Sequence, residues 1–173
     1  MQIYKQEDIQ KIKSELYSLR IKYCDLMGQI FDLSAKIKEE KAREYLHYGV
    51  GRRLEVIERC IENIFLIFPV ERNNLLCREE LIDVMINLHA FFVNIFGLLD
   101  NLAWVLIHEK KLAGIIDKKK VGLFKRETKK YLPNKFCQYL DSPQMKLWHE
   151  QYLTNYRDAF SHRIPLYVPP PKY

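Results

Sequence analysis

Three side chains near the end of the chain are of the types that grip anions and move protons. They are Arg157, Asp158 and His162, in the stretch Tyr156-Arg157-Asp158-Ala159-Phe160-Ser161-His162-Arg163. This stretch reads as the last two turns of a helix, because Pro165 disfavours helical geometry at the residue before it. Asp158 and His162 stand four apart and can meet on one helix face, while four residues separate Arg157 from His162. A guanidinium is always charged and holds an anion through a two-pronged fork. An imidazole exchanges its proton near neutrality, and the C-terminal end of the helix dipole favours its protonated form. Together they could hold a polyanion and transfer a proton beside it.

Arg157-x4-His162, with a polar residue directly after the arginine at the end of a late helix, resembles the R-x(4–6)-H motif of the HEPN superfamily. The likeness covers roughly residues 78–168 and extends only loosely to the N-terminal part. Members are small all-α bundles, many of them toxins and defence nucleases that cut RNA without metal. The resemblance implies an endoribonuclease with no metal and no cofactor. The 2′-hydroxyl would attack the adjacent phosphate, leaving a 2′,3′-cyclic phosphate and a free 5′-hydroxyl. Arg157 would clamp the phosphate, His162 would carry protons, and Asp158 would orient His162 or favour its charged form. One chain supplies one such pair, so the resemblance also implies a homodimer with two motifs facing across a two-fold axis. An antitoxin or a nucleotidyltransferase-type protein is a further implied partner. Asp158 stands where Asn or His is common, and its charge repels a phosphate. The competing expectation is a non-catalytic module for dimerisation, RNA binding or partner binding, in which Arg157 and Asp158 cross-link the bundle.

The elements that must position these groups follow from composition and periodicity. A chain of 173 residues fits one domain, 1–173, with a real core. Scarce Gly and Pro favour helices over strands. The formal charge of +6 makes an anionic partner admissible, either nucleic acid or a membrane surface. The four cysteines, Cys24, Cys60, Cys77 and Cys137, lie far apart and read as reduced core thiols of a cytoplasmic protein, not as a metal site or disulfide framework. The polar opening Met1 to Asp8 does not read as a signal peptide.

Ile9, Ile12, Leu16, Leu19, Tyr23, Leu26, Ile30, Leu33 and Ile37 alternate spacings of three and four, marking a long amphipathic helix over 1–41. Its seam suits either the chain's own bundle or a second copy. Left exposed, the same seam would instead serve a membrane-surface or partner-helix protein. The apolar pattern resumes through Leu46, Val50, Leu54, Ile57, Ile61, Ile64 and Phe68. An unbroken helix from 6 to 68 would measure about 90 Å, so a break is expected at Asp32 to Ser34, with Ser34 as a cap, or at Gly49-Val50-Gly51. Arg52 and Arg53 follow those glycines, either as a solvated turn or reaching an acidic or phosphate group.

A third helix, about Glu79 to Lys111, is apolar nearly all round, as in a bundle centre or a membrane. Asp83, Asn87, Asn94 and Asn101 form one stripe with Ala90 and Gly97 between them, and such polar groups cost too much in lipid to favour a membrane span. A buried central helix with one polar seam is expected. Asp100 and Asn101 are expected near the Arg157/His162 helix end, either as supporting site residues or with Asp100 in a structural salt bridge to an arginine.

Residues 112–142 read as a connection of short broken helices. Lys118, Lys119, Lys120, Lys125 and Arg126 form a basic cluster interleaved with Phe124 and Tyr131, which fits RNA backbone contact or a solvated surface. The last helix starts at Ser142-Pro143, with His149 as a surface or interface residue. The segment from Ile164 to Tyr173 should be an extended proline-rich tail. The expected fold is therefore all-α: a HEPN-like up-and-down bundle of four to five helices.

Overall fold

The computed structural model describes residues 4–162, with backbone alone at 160–162. The tail expected from Ile164 onward lies outside the described residues. The fold is all-α: among the described residues 78% are helical, no strand forms, and six continuous helices are present. Helix α1 (Gln6–Lys36) is followed by α2 (Glu40–Glu44), a π segment (Tyr45–Gly51) and α3 (Arg52–Ile67), the last three joined into one rod. Helix α4 (Arg78–Glu109) comes next, then a connection carrying the short helices α5 (Arg126–Lys129) and α6 (Asn134–Leu140). A second joined rod closes the described chain: α7 (Pro143–Leu147), a π segment (Trp148–Thr154) and α8 (Asn155–His162). Ser142 caps α7 by accepting from the Met145 amide, with Pro143 in the first turn, as expected.

The break between the first two rods falls at residues 37–39, just beyond Ser34, and not at either expected position. Ser34 is no cap. It sits inside α1, nearly buried, and its hydroxyl hydrogen-bonds the His47 ring. What stops α1 is tertiary: Ile37 docks into a core with Ala42, Leu46, Val50 and Val105. The Glu109 carboxylate, from the far end of α4, accepts from the Lys38 and Glu39 amides at 3.1–3.2 Å and so caps the incoming α2. Those amides hold the Glu109 pKa below the usual carboxylate range. The Gly49-Val50-Gly51 step does not break the rod but is taken up in the π segment.

Neighbouring rods run antiparallel, because partner numbers fall as the others rise. Along α1 the pairs are Lys13 with Glu71, Arg20 with Glu62, and Ser34 with His47. Along α4 they are Asn87 with Asn63, Asn94 with Arg53, and Asn101 with Gly49. The last rod lies along α4 through Tyr156 on Phe92 and Arg157 on Phe96. The start of α4 is fixed by Arg72, which forks onto Glu80 at 2.8 and 2.7 Å and also donates to the Ile67, Asn74 and Leu75 carbonyls. Glu80 accepts in turn from the Cys77 amide, and its pKa falls to about 2.

The polar stripe of α4 faces α3, as its small residues require. Arg53 Nη1 donates to Asn94 Oδ1 at 3.0 Å, and the guanidinium crosses α4 at Gly97, where a Cβ would come within 2.4 Å of Arg53 Cζ. The rest of α4 is less enclosed than expected. Val84, Ala103, Val105 and Ile107 are buried, whereas Ile82, Ile86 and Val93 are exposed. The reason is that the larger core gathers at the C-terminal end of α4, where Ala103 and Ile107 meet Leu112, Ile116, Val121, Leu123 and Leu140 of the connection and α6. By length and composition α4 is the one described helix that could cross a membrane. The seam of α1 is split in the same way: Ile9 and Ile37 are buried, but Leu19, Leu26 and Leu33 are exposed. Beside them α1 stands off α3 and leaves an apolar groove of about 600 Å³. The cysteines are free, and only Cys60 is a buried thiol; Cys24 and Cys77 are exposed, against expectation.

The two close approaches make a direct test. Gly49→Ala would place its methyl 2.8 Å from Asn101 Cγ, a short side chain with little room to retreat. We expect a loss of about 1–3 kcal/mol in denaturant unfolding. At Gly28, with nothing of its own chain within 4 Å, the same change should gain about 0.5–1 kcal/mol at dilutions that keep chains apart. Equal effects at both positions would contradict the packing described.

Candidate functional site

Arg157 stands where α8 crosses α4, and the two helices with the connection enclose a cavity of about 240 Å³. From α4 come Phe96, Leu99 and Asp100, one turn apart along the face opposite the polar stripe. From the connection come Gly122, Leu123, Phe124 and Lys125, and from the last rod His149, Thr154 and Arg157. The connection is anchored by Thr128, fully buried, which accepts from the Gly122 amide at 3.0 Å and donates to the Lys120 carbonyl at 3.4 Å. The π segment in the last rod is stabilised locally by Thr154, whose hydroxyl donates to the His149 carbonyl at 2.8 Å.

Inside this frame the charges are close but not fused. Arg157 lies over the Phe96 ring, 4.5 Å from its centroid, and donates from Nε and Nη2 to Asp158 Oδ1 at 3.0 and 2.8 Å. Its side chain is 42% exposed. Asp100 forms no ion pair within 4.0 Å among the described residues. Burial pushes its pKa up, against the opposing pull of Lys125, Arg157, Arg53 and His149. His149 stacks on Phe124 with centroids 3.8 Å apart and planes 18° from parallel. Burial also lowers the His149 pKa, aided by Lys129 and Arg157 and opposed by Glu150 and Asp100. A carboxyl inclined to keep its proton thus shares a cavity with an imidazole inclined to give its proton up.

The residues singled out from the sequence divide as follows. Arg157 and Asp100 line this cavity together, and Asp158 adjoins it only through its hydrogen bonds with Arg157. Asn101 does not: it faces Gly49 on the other side of α4. Asp100 makes no structural salt bridge to an arginine; Arg53 reaches the Asn94 amide instead, and Asp100 feels its charge from a distance. Arg52 is exposed over the Tyr48 ring at 4.3 Å. Lys118, Lys119 and Lys120 form an exposed 3-10 turn, joined to the cavity by Lys125, whose Nζ donates to the Lys119 carbonyl at 2.6 Å. Arg126 is exposed at the start of α5. Phe124 carries His149, and Tyr131 packs on the core, so neither ring is an open platform. The side chain of His162 lies outside the described residues. Among those residues no group of three or more His, Cys, Asp or Glu side chains could hold a metal ion.

The sequence reads His149 as a surface or interface residue, and its place on this cavity has a geometric cause. It stands eight positions before Arg157, which in a regular α-helix leaves the two about 80° apart. The wider π segment between them takes up that angle and turns both toward α4. No residue type in Trp148–Thr154 announces such a segment. In comparisons with known families, characterised proteins and solved structures, nothing matched this chain.

Two measurements check the shared cavity. His149 should titrate below an ordinary imidazole by NMR, and Asp100→Asn should lower its midpoint further, because the carboxylate charge favours the imidazolium; an unmoved midpoint would separate the two groups. Asp100→Asn should also stabilise the fold at pH above the folded Asp100 pKa, where ionising the half-buried carboxyl carries a cost. The sign follows from a folded pKa raised above the unfolded one. The gain shrinks as pH falls through the folded pKa and disappears below the unfolded value, which paired unfolding curves from pH 7 to pH 3 would trace.

Proposed function

We propose that this protein is a HEPN-like, metal-independent endoribonuclease that cuts RNA by 2′-hydroxyl transesterification. One observation carries the reading: Arg157, the motif arginine, is partly exposed and lines an open-sided cavity instead of being sealed between helices. The antiparallel order of α1, the α2–α3 rod and α4 supports the bundle that the motif implies. In the reaction the 2′-oxygen attacks phosphorus, the bond from phosphorus to the 5′-oxygen breaks, and the leaving oxygen takes up a proton. Arg157 offsets the charge that develops on the phosphate, and Lys125 and the turn Lys118–Lys120 meet the neighbouring backbone. His162 moves the protons, and a second copy of the motif across a two-fold axis supplies the other member of the acid and base pair.

A second reading rests on Asp158. Its carboxylate already occupies two donors of Arg157, as expected of a module that binds RNA or a protein partner without cutting.

The test is cleavage of single-stranded RNA by the purified protein with analysis of the product ends. We expect 2′,3′-cyclic phosphates and 5′-hydroxyls, with His162→Ala reducing the rate by about 10²–10⁴-fold. Arg157→Ala should reduce it also, and circular dichroism should stay unchanged for both variants. Cleavage that is unchanged in either variant would refute the mechanism; RNA binding with no cleavage by the wild type would favour the second reading.

A further inference from the structure

Helix α1 carries a second seam, distinct from the one that meets the bundle. Ser14, Tyr17, Ile21, Cys24, Gly28 and Phe31 recur at alternating spacings of three and four, and every one of them is exposed. Tyr17 and Phe31 are the most open, at 69% and 74%. Apolar and small residues at this spacing over a helix of 31 residues form a coiled-coil seam.

We propose that this seam pairs with the same seam of a second copy of the chain, with the two α1 helices antiparallel. The choice of partner follows from self-complementarity. In a parallel pair in register every position meets itself: Phe31 crowds Phe31, and Gly28 leaves a void beside Gly28. Reversing one helix places Tyr17 opposite the partner's Gly28, Ile21 opposite the partner's Cys24, and Phe31 opposite the partner's Ser14. Each large side chain then meets a small one, as close packing demands. Gly28 has nothing within 4 Å of where a Cβ would stand, which leaves room for the tyrosine ring.

The flanking charges agree with the same register. Lys11 comes alongside the partner's Asp32, and two-fold symmetry repeats the contact. The ion pairs that α1 makes within the described chain run inward, from Lys13 to Glu71 and from Arg20 to Glu58 and Glu62. Lys11 and Asp32 take no part in them and are exposed. This association is independent of RNA cleavage. α1 packs against α3 and the first π segment, whereas Arg157 sits on α4, so either proposal can fail alone.

Sedimentation equilibrium of the whole chain tests the pairing. The wild type should associate through α1 in addition to any pairing of the Arg157 motifs, and Tyr17→Glu should halve the assembled mass with its helix content retained. Lys11→Asp and Asp32→Lys should each weaken association by about tenfold, and the double variant should restore it. Orientation is read from cross-linking. Ile21→Cys should form a disulfide-linked dimer on mild oxidation, and adding Cys24→Ser should abolish it. A wild-type monomer, a dimer indifferent to Tyr17→Glu, a double charge variant no tighter than the singles, or a link that survives Cys24→Ser would each overturn the proposal.

Discussion

The hydrogen bond from Arg53 to Asn94, laid across Gly97, sets the register on which the rest of the molecule depends. A guanidinium between two helices is tolerable only where its donors are met and its bulk has a place. Asn94 meets the first need and Gly97 the second. Sliding α4 by one residue would set a side chain against the guanidinium and take the Arg53 donor from Asn94 Oδ1. No buried side-chain nitrogen or oxygen among the described residues lacks a partner. With α4 held at that register, its opposite face is fixed as well. Phe96, Leu99 and Asp100 are then turned toward the connection and the last rod. The polar seam therefore places the cavity, although no seam residue enters it.

Much of this was legible. The stripe of Asp83, Asn87, Asn94 and Asn101 with small residues between them announced a close helix contact, and the structure puts α3 there. The extent of α4 followed from its apolar run, and the Ser142-Pro143 start from local chemistry, because caps and prolines act within a turn of where they sit. What failed was long-range. The chain breaks at 37–39 because Glu109, some seventy residues away in sequence, caps the next helix, and because Ile37 finds a core built largely by others. A glycine pair looks like a break until the partner that packs against it, here Asn101, is known.

The candidate site divides along the same line. Arg157 and Asp158 were visible as types at a telling spacing, and Asp100 as a carboxylate in an apolar run that needed neighbours. His149 was invisible, because α-helical phase points it elsewhere and only the π segment returns it to the side of Arg157. The basic turn illustrates the converse. Lys118 to Lys120 and Arg126 read correctly as exposed charge, but the aromatics among them were misjudged, since Phe124 is committed to His149 and Tyr131 to the core.

Two carboxylates count against an anion site by charge alone, and their surroundings answer differently for each. Asp158 engages Arg157 through one oxygen only, while a guanidinium has five donors in a fixed fork. An incoming phosphate would thus compete with a single acceptor atom. Asp100 has no close cation and its pKa is already raised by burial. A phosphate beside it would raise that pKa further, since like charges disfavour ionisation. Taking up one proton would convert Asp100 from a repelling anion into a hydrogen-bond donor. A half-buried carboxyl without a salt bridge is the feature that would allow this uptake.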